Sequence, residues 1–578
     1  MFNTPPGSKW LIMPLLIGVG MERKARVLTE LPYNPKIAYF SMEICVRSDI
    51  PTYSGGLGIL AGDTIRSCAD LNIPIVAITL LSEKGYFDQD IIEEGEQVEK
   101  PSNFDPASSM YLVARETSVR IGNSQVKIRP WFYPVTGSSG YQVPVIFLDT
   151  NVEGNGEWER TLTSYLYGGD EKYRLAQEIV LGIGGVRILK ALGFTGIYRY
   201  HMNEGHASLL TLELYNKTRN VDYVRSQCVF TTHTPVPAGH DKFDIELVRE
   251  LMGEEFPKEI LPHVVFDGKL NMTKLGMFFS HYINGVAKRH REVSQELFPG
   301  YSIDSITNGV HSPTWVSKPF RRLFNIYIPG WKSDPYMLRY ASSIPKNEIW
   351  KAHMEAKKKL LDYVKRSTGI ELDLEVFTIG FARRMTEYKR PDMLISDLSE
   401  LLRIKEEAGD FQIIYSGKAH PKDIQGKMMI KKIFRAQKEL EGKIKIVFIK
   451  NYNMEIAKLM VSGVDLWLNN PKIPMEASGT SGMKAAHNGV PQLSTLDGWW
   501  KEGCIEGVTG WSIGNGEPSN DEEERKDMYR KLREVIIPMF YREREKWIEI
   551  MRNCIALNAS FFNTQRMVEQ YVLNAYFL

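Results

Sequence analysis

Lys484 is the side chain whose surroundings most plainly invite chemistry. It follows Ala477-Ser478-Gly479-Thr480-Ser481-Gly482, small residues lying between an apolar run, Val464 to Leu468, and the helix-like segment Met483-Lys484-Ala485-Ala486. A strand, a Gly/Ser/Thr turn and a helix start bring free backbone N–H groups and hydroxyls to where a phosphate can be held. An amine one turn inside that helix reaches whatever the turn holds. The same pattern also makes an ordinary helix cap, so spacing alone leaves both readings open.

A second constellation is Arg383, Arg384, Lys389 and Arg390, four cations within eight residues directly after the apolar run Val376 to Ile379. Charge runs usually lie on solvated faces, but a solvated face does not normally begin where a buried strand ends. Two phosphates side by side, carrying roughly −3 between them, would balance such a cluster. Ser54-Gly55-Gly56-Leu57-Gly58 precedes a helical stretch, so it is either a tight loop or a second phosphate loop. His201-Met202-Asn203-Glu204-Gly205-His206 lacks the HExxH order of a zinc site, and no metal is expected. His233 follows an apolar run, where a lone histidine is usually a satisfied core residue. Asn308-Gly309 reads as a turn.

The elements that must position these residues follow from the apolar pattern. Ile37 to Phe40, Ile75 to Ile78, Val143 to Phe147, Tyr198 to Tyr200 and Cys228 to Phe230 read as strands, with helical periodicity between several of them, as in Lys172 to Leu192. The second half repeats the theme with Val376 to Ile379, Ile413 to Tyr415, Ile446 to Ile449 and Val464 to Leu468. Such alternation predicts an α/β chain of two doubly wound domains with parallel sheets, facing a central cleft, with ligands at the carboxyl ends of the strands. A long helix is expected from Asn347 to about Arg366, with Lys357-Lys358-Lys359 as a solvated face. The chain has 578 residues and a net charge of +2, which gives no support to nucleic-acid or anionic-membrane binding. Five scattered cysteines predict reduced thiols in a cytoplasmic protein. The apolar stretch Trp10 to Gly20 is broken by Pro14 and is too short to span a bilayer, so residues 1–20 are read as an extension that is disordered or dispensable.

EASGTSGMKAAHNGV, from Glu476 to Val490, followed by Leu496-Asp497-Gly498-Trp499-Trp500, resembles the pyridoxal-phosphate segment of the α-glucan (glycogen, maltodextrin) phosphorylases. The likeness runs from about Ile37 to near the C-terminus and is greatest to the short, unregulated branch. It implies a GT-B type fold of two Rossmann-like domains, 21–315 for glucan and phosphate and 316–555 for the cofactor, with a C-terminal helix, 556–578, packing back on the first domain. It implies pyridoxal 5′-phosphate bound as a Schiff base to Lys484, with Gly479 and Thr480 at its phosphate. Arg383, Lys389, Tyr452, Trp315 and Gly56 would be further cofactor neighbours. Substrate phosphate would meet Gly55, Gly56, Leu57, Arg384 and Lys389. The sugar would meet Asn203, Glu204, His233, Asn308, Glu476, Ser478 and Gly479. The implied reaction is phosphorolysis of α-1,4-glucans to α-glucose-1-phosphate with retention, the cofactor's 5′-phosphate exchanging a proton with substrate phosphate and Lys484, Arg384, Lys389 and His233 forming the catalytic set. A homo-oligomer such as a dimer is part of the same expectation.

Two other functions compete. Sugar-nucleotide glucosyltransferases of the glycogen synthase type share the fold and an Arg/Lys pair, but place a glutamate where Lys484 stands, to accept hydrogen bonds from the ribose. A lysine cannot accept those bonds, whereas a Schiff base requires one. A non-catalytic carbohydrate-binding protein would need neither the cationic cluster nor Lys484.

Overall fold

Short runs of β-branched and aromatic residues, apolar on both sides, become strands that bury both faces. Ile37–Phe40, Ile75–Leu80, Phe377–Ala382 and Leu466–Asn469 have every residue buried, as strands covered by helices above and below must. The computed structural model describes residues 13–14, 25–518 and 520–577. The reading of residues 1–20 therefore lies outside the described residues, apart from Met13–Pro14, which pairs with Arg26 and Val27.

The strands form two large sheets. In the second, all six are parallel, in the spatial order Ile446–Ile449, Phe411–Ser416, Phe377–Ala382, Leu466–Asn469, Gln492–Thr495, Gly510–Ile513. Numbered along the chain this is 3-2-1-4-5-6, the doubly wound order. A run of six neighbouring parallel strands in the first sheet repeats it: Gln142–Asp149, Ile75–Leu80, Ile37–Phe40, Arg199–Asn203, Cys228–Thr231, Tyr282–Gly285. The expected α/β class and the paired doubly wound sheets are both present.

The first sheet is not wholly parallel, however. Ser124–Thr136 runs antiparallel to Gln142–Asp149, Tyr111–Val113 and Thr117–Ile121. The five-residue connection 137–141 is too short for a crossover and long enough for a hairpin. The expected helix spans Lys346–Thr368, but its lysine run is not a uniform solvated face. Lys358 and Lys359 are exposed, whereas Lys357 is fully buried and donates from Nζ to Asp465 Oδ2 at 2.6 Å and to the Val376 carbonyl at 2.8 Å. Facing the sheet on the inner side of the helix, it is pinned by a carboxylate 108 residues away.

Three features fix the halves against each other. The hairpin Asp88–Ile92/Glu96–Lys100 leaves the first half and lies on the second. There, Gln89 and Asn451 exchange two bonds, at 3.1 and 2.8 Å, and Gln97 is paired with the backbone of Ala419. One apolar cluster mixes Cys45, Ile59 and Trp315 with Ala382, Trp467 and Met483. The C-terminal helix Thr564–Tyr571 returns to the first sheet, where the Tyr571 hydroxyl meets Asn284 at 3.0 Å and Tyr576 meets His201 at 2.7 Å. No helix among the described residues is long and apolar enough to cross a membrane.

Candidate active site

Both sheets reverse their winding beside their first strand, and a cavity of about 960 Å³ opens where these two switch points face each other. One wall carries Glu43 and the glycine loop, which follow Ile37–Phe40, together with Glu204 and His233, which follow the next two strands. The opposite wall carries Arg383 and Arg384, which follow Phe377–Ala382, and Glu476 to Lys484, which follow Leu466–Asn469. Residues up to several hundred positions apart meet because each ends a strand at the same edge of its sheet.

Lys484 lies in the helix Thr480–Ala486 and is 7% exposed. Among the described residues its amine makes no hydrogen bond or ion pair, and it lies 4.0 Å from the centre of the Trp315 ring. Burial lowers its pKa to about 8, against the pull of Asp63 and Cys45. Gly479 precedes the helix at φ +82°, a left-handed conformation that glycine adopts without strain. The Ser478 hydroxyl is buried with no partner among the described residues, an arrangement that usually marks a ligand or water site.

The four cations of the second constellation separate. Arg390 turns away from the cleft into an ion pair with buried Glu524 and another with Asp521 at 2.9 Å, so it belongs to the domain's internal scaffold. Arg383 and Lys389 both bond Glu476 Oε2, and Arg383 also meets Asn469. A protein carboxylate thus supplies part of the neutralisation that spacing had assigned to phosphates. Burial alone would raise the Glu476 carboxyl, but Arg383 and Lys389 outweigh it and hold it down to about 2. Glu476 Oε1 faces the cleft without a partner among the described residues. Arg384 makes no hydrogen bond or ion pair among the described residues. Its guanidinium crosses the cleft to within 3.7 Å of where a Cβ on Gly55 would stand. The residue is exposed and opens onto the cavity.

On the facing wall, Gly55, Gly56 and Leu57 line the cavity, but not all their N–H groups are free. Glu43 accepts from the N–H groups of Ser54 at 2.6 Å and Gly55 at 3.3 Å, and from the Tyr167 hydroxyl at 2.9 Å. Gly56 and Leu57 open the helix Gly56–Asp70, so their N–H groups have no intrahelical acceptor. Gly58 permits this arrangement, since a Cβ there would stand 2.7 Å from Glu43 Oε2. Spacing did not single out Glu43; its one signal was position, at the carboxyl end of the first strand.

Asn203 lies behind the wall rather than on it, and its amide oxygen accepts from His233 Nε2–H at 2.7 Å. Glu204, at φ +80°, accepts from the N–H groups of Gly205 and His233 and from the Thr234 hydroxyl, so its carboxylate organises the loop. Burial holds His233 down to about 3, leaving the ring neutral. Asn308 lines the cavity with its Oδ1 buried and without a partner among the described residues. Tyr452 lines the second wall, while Asn453 caps the helix Met454–Gly463 through the N–H groups of Glu455 and Ile456. Among the described residues no cluster of His, Cys, Asp and Glu is placed to hold a metal ion.

The Glu476 triad carries a stability prediction. Its folded pKa is depressed, so the contribution is fully present above the unfolded value near 4.5 and is lost as pH falls through about 2. Glu476→Gln is therefore expected to lower stability by on the order of 3 kcal/mol at pH 6. The gap from wild type should narrow steadily on acidification towards pH 2.5, read from melting temperatures. A gap that is constant across that range would rule out the ion-pair account.

A family model described as carbohydrate phosphorylase matches residues 258–502. The chain is 38% identical to the maltodextrin phosphorylase of Thermococcus litoralis, in an alignment covering 93% of this chain and 70% of that protein. It is 33% identical to the glycogen phosphorylase of Aquifex aeolicus, covering 94% of this chain and 86% of that one. It is also 30% identical to an uncharacterised protein of Methanocaldococcus jannaschii, covering 93% of this chain and 99% of that protein.

Proposed function

The chain belongs to the carbohydrate phosphorylase family, and we propose that it is an enzyme that phosphorolyses α-1,4-glucans to α-glucose-1-phosphate with retention, using pyridoxal 5′-phosphate on Lys484. The observation that carries this reading is the Lys484 amine, buried in the cleft wall with no hydrogen bond or ion pair among the described residues, where burial lowers its pKa to about 8. An amine partly unprotonated near neutral pH is what attachment to an aldehyde requires.

The surrounding residues fit the cofactor. The Ser478 hydroxyl and Arg383 Nε are buried without partners, and Gly479 turns the chain into a helix start whose first N–H groups lack intrahelical acceptors. With Thr480 and Lys389 these groups would hold its phosphate, with Tyr452 and Trp315 beside the ring. When bound, the cofactor supplies a phosphate acid–base group next to the substrate phosphate.

The chain's own residues then divide the work. Arg384, without a hydrogen bond or ion pair among the described residues, binds and orients inorganic phosphate against the N–H groups of Gly56 and Leu57. Asn308 Oδ1 and Glu476 Oε1 are acceptors for sugar hydroxyls. The neutral His233 ring, fixed by Asn203, presents a polar but uncharged edge to the reacting glucose. No pair of glycosidase carboxylates is needed, because the proton reaches the glycosidic oxygen from phosphate. In this reading residues 21–315 bind glucan and phosphate and 316–555 bind the cofactor. The compartment is the cytoplasm, in keeping with five cysteines that are all free thiols.

The deciding experiment offers two donors for elongation of maltoheptaose. Glucose-1-phosphate should extend the chain and release phosphate, whereas a glucose nucleotide should not, because Lys484 cannot accept ribose hydrogen bonds. Elongation from the nucleotide at a comparable rate would overturn the phosphorylase reading in favour of a glucosyltransferase. The absorbance spectrum of the purified protein should carry a pyridoxal band that is lost only on denaturation.

A further inference from the structure

The helix that begins at the glycine loop carries, two turns on, a buried carboxylate that the proposed reaction does not use. Asp63 is 1% exposed. Its Oδ1 accepts from Arg66 Nη1 at 3.1 Å, and its Oδ2 accepts from the His311 N–H at 3.2 Å and from Trp315 Nε1–H at 2.6 Å. Trp315 closes the short helix Ser312–Trp315, and its ring face meets the Lys484 amine at 4.0 Å. The two backbones are already tied, since Asn488 Nδ2 donates to the carbonyls of both Trp315 and Lys484. What remains to be set is the tilt of the indole.

A neutral carbonyl would satisfy an indole N–H at less cost than a buried carboxylate, which must be desolvated. The carboxylate gives a short, directional, charge-assisted bond instead. Donation to an anion also enriches the ring face on which a cation rests, strengthening that contact. The groups that act electrostatically on the amine are Asp63 on the glycine-loop helix and Cys45 on the loop after the first strand.

We propose that Asp63 is a positioning residue that locks the Trp315 indole against the Lys484 amine, and thereby sets how firmly Lys484 retains its cofactor. The second clause rests on the assignment of the cofactor to Lys484. One helix thus aligns two parts of the site, the glycine loop at its start and the lysine plate two turns later.

The test uses the full chain labelled with 5-fluorotryptophan, in which the Trp315 fluorine resonance is identified by its loss in Trp315→Phe. Asp63→Asn is expected to move or broaden that resonance whether or not pyridoxal phosphate is present, and to speed cofactor release to the carbonyl scavenger hydroxylamine about tenfold. Asp63→Glu, which keeps the carboxylate, should recover part of the retention. In a Trp315→Phe background, Asp63→Asn should add less than about twofold, because the bond it breaks is already gone. An unmoved Trp315 resonance in Asp63→Asn, or an equal effect on release in both backgrounds, overturns the proposal. If Asp63→Asn does not fold, Trp315→Phe alone decides, and unchanged cofactor release in it also overturns the proposal. A resonance that responds to Asp63→Asn but never to added pyridoxal phosphate sinks the cofactor assignment and leaves the Asp63–Trp315 lock standing.

Discussion

Lys484→Ala is expected to yield a folded protein without covalently held pyridoxal phosphate and with glucan phosphorolysis reduced by roughly 10²–10⁴-fold, the range for losing a positioned acid–base group. Folding should survive because the amine holds nothing else in place: it has no hydrogen bond or ion pair among the described residues, and its removal takes an unpaired cation out of a buried site. The helix Thr480–Ala486 keeps its backbone bonds and its tie through Asn488 to Trp315. Borohydride reduction followed by peptide mapping should place the label on Lys484 in the wild type. Label on another lysine, or turnover near wild type in Lys484→Ala, removes the basis for the assignment.

Arg384→Ala should lower turnover by roughly 10²–10³-fold while cofactor content stays near normal, the size seen when one preorganised charged donor is lost. The contrast with its neighbour explains the split. Arg383 is held by Glu476 and Asn469 and leaves only Nε buried and unpaired. Arg384 has no hydrogen bond or ion pair among the described residues and reaches across to the glycine loop, where the proposed substrate phosphate would bind. Arg384→Lys should restore only part of the loss, since an ammonium cannot reproduce a planar two-point contact. Arg383→Ala should instead lower cofactor occupancy and leave Glu476 with one cation rather than two. Cofactor stoichiometry and phosphate kinetics on the variants check both statements. Loss of cofactor in Arg384→Ala with normal phosphate affinity would reverse the two roles.

The class of the fold and the residue types of the site were legible along the chain, because both are local. Short apolar runs alternating with helical periods fit strands buried on both faces and helices covering them. A lysine after a Gly/Ser/Thr turn, and cations at the end of a strand, made a phosphate site one of two open readings, and the family resemblance favoured it. Tertiary structure alone decided which charges are available. Lys357 and Lys358 are adjacent in sequence, yet one is buried on Asp465 and the other faces solvent. Arg383, Arg384 and Arg390 look equivalent in sequence, but Glu476 takes part of the first, Glu524 takes the last, and Arg384 makes no hydrogen bond or ion pair among the described residues. Glu43 and Asp63 gain their roles from partners brought to the switch points of the two sheets. Pairings of this kind depend on which strand ends share an edge, and local spacing carries no record of that, because each partner comes from a different part of the chain.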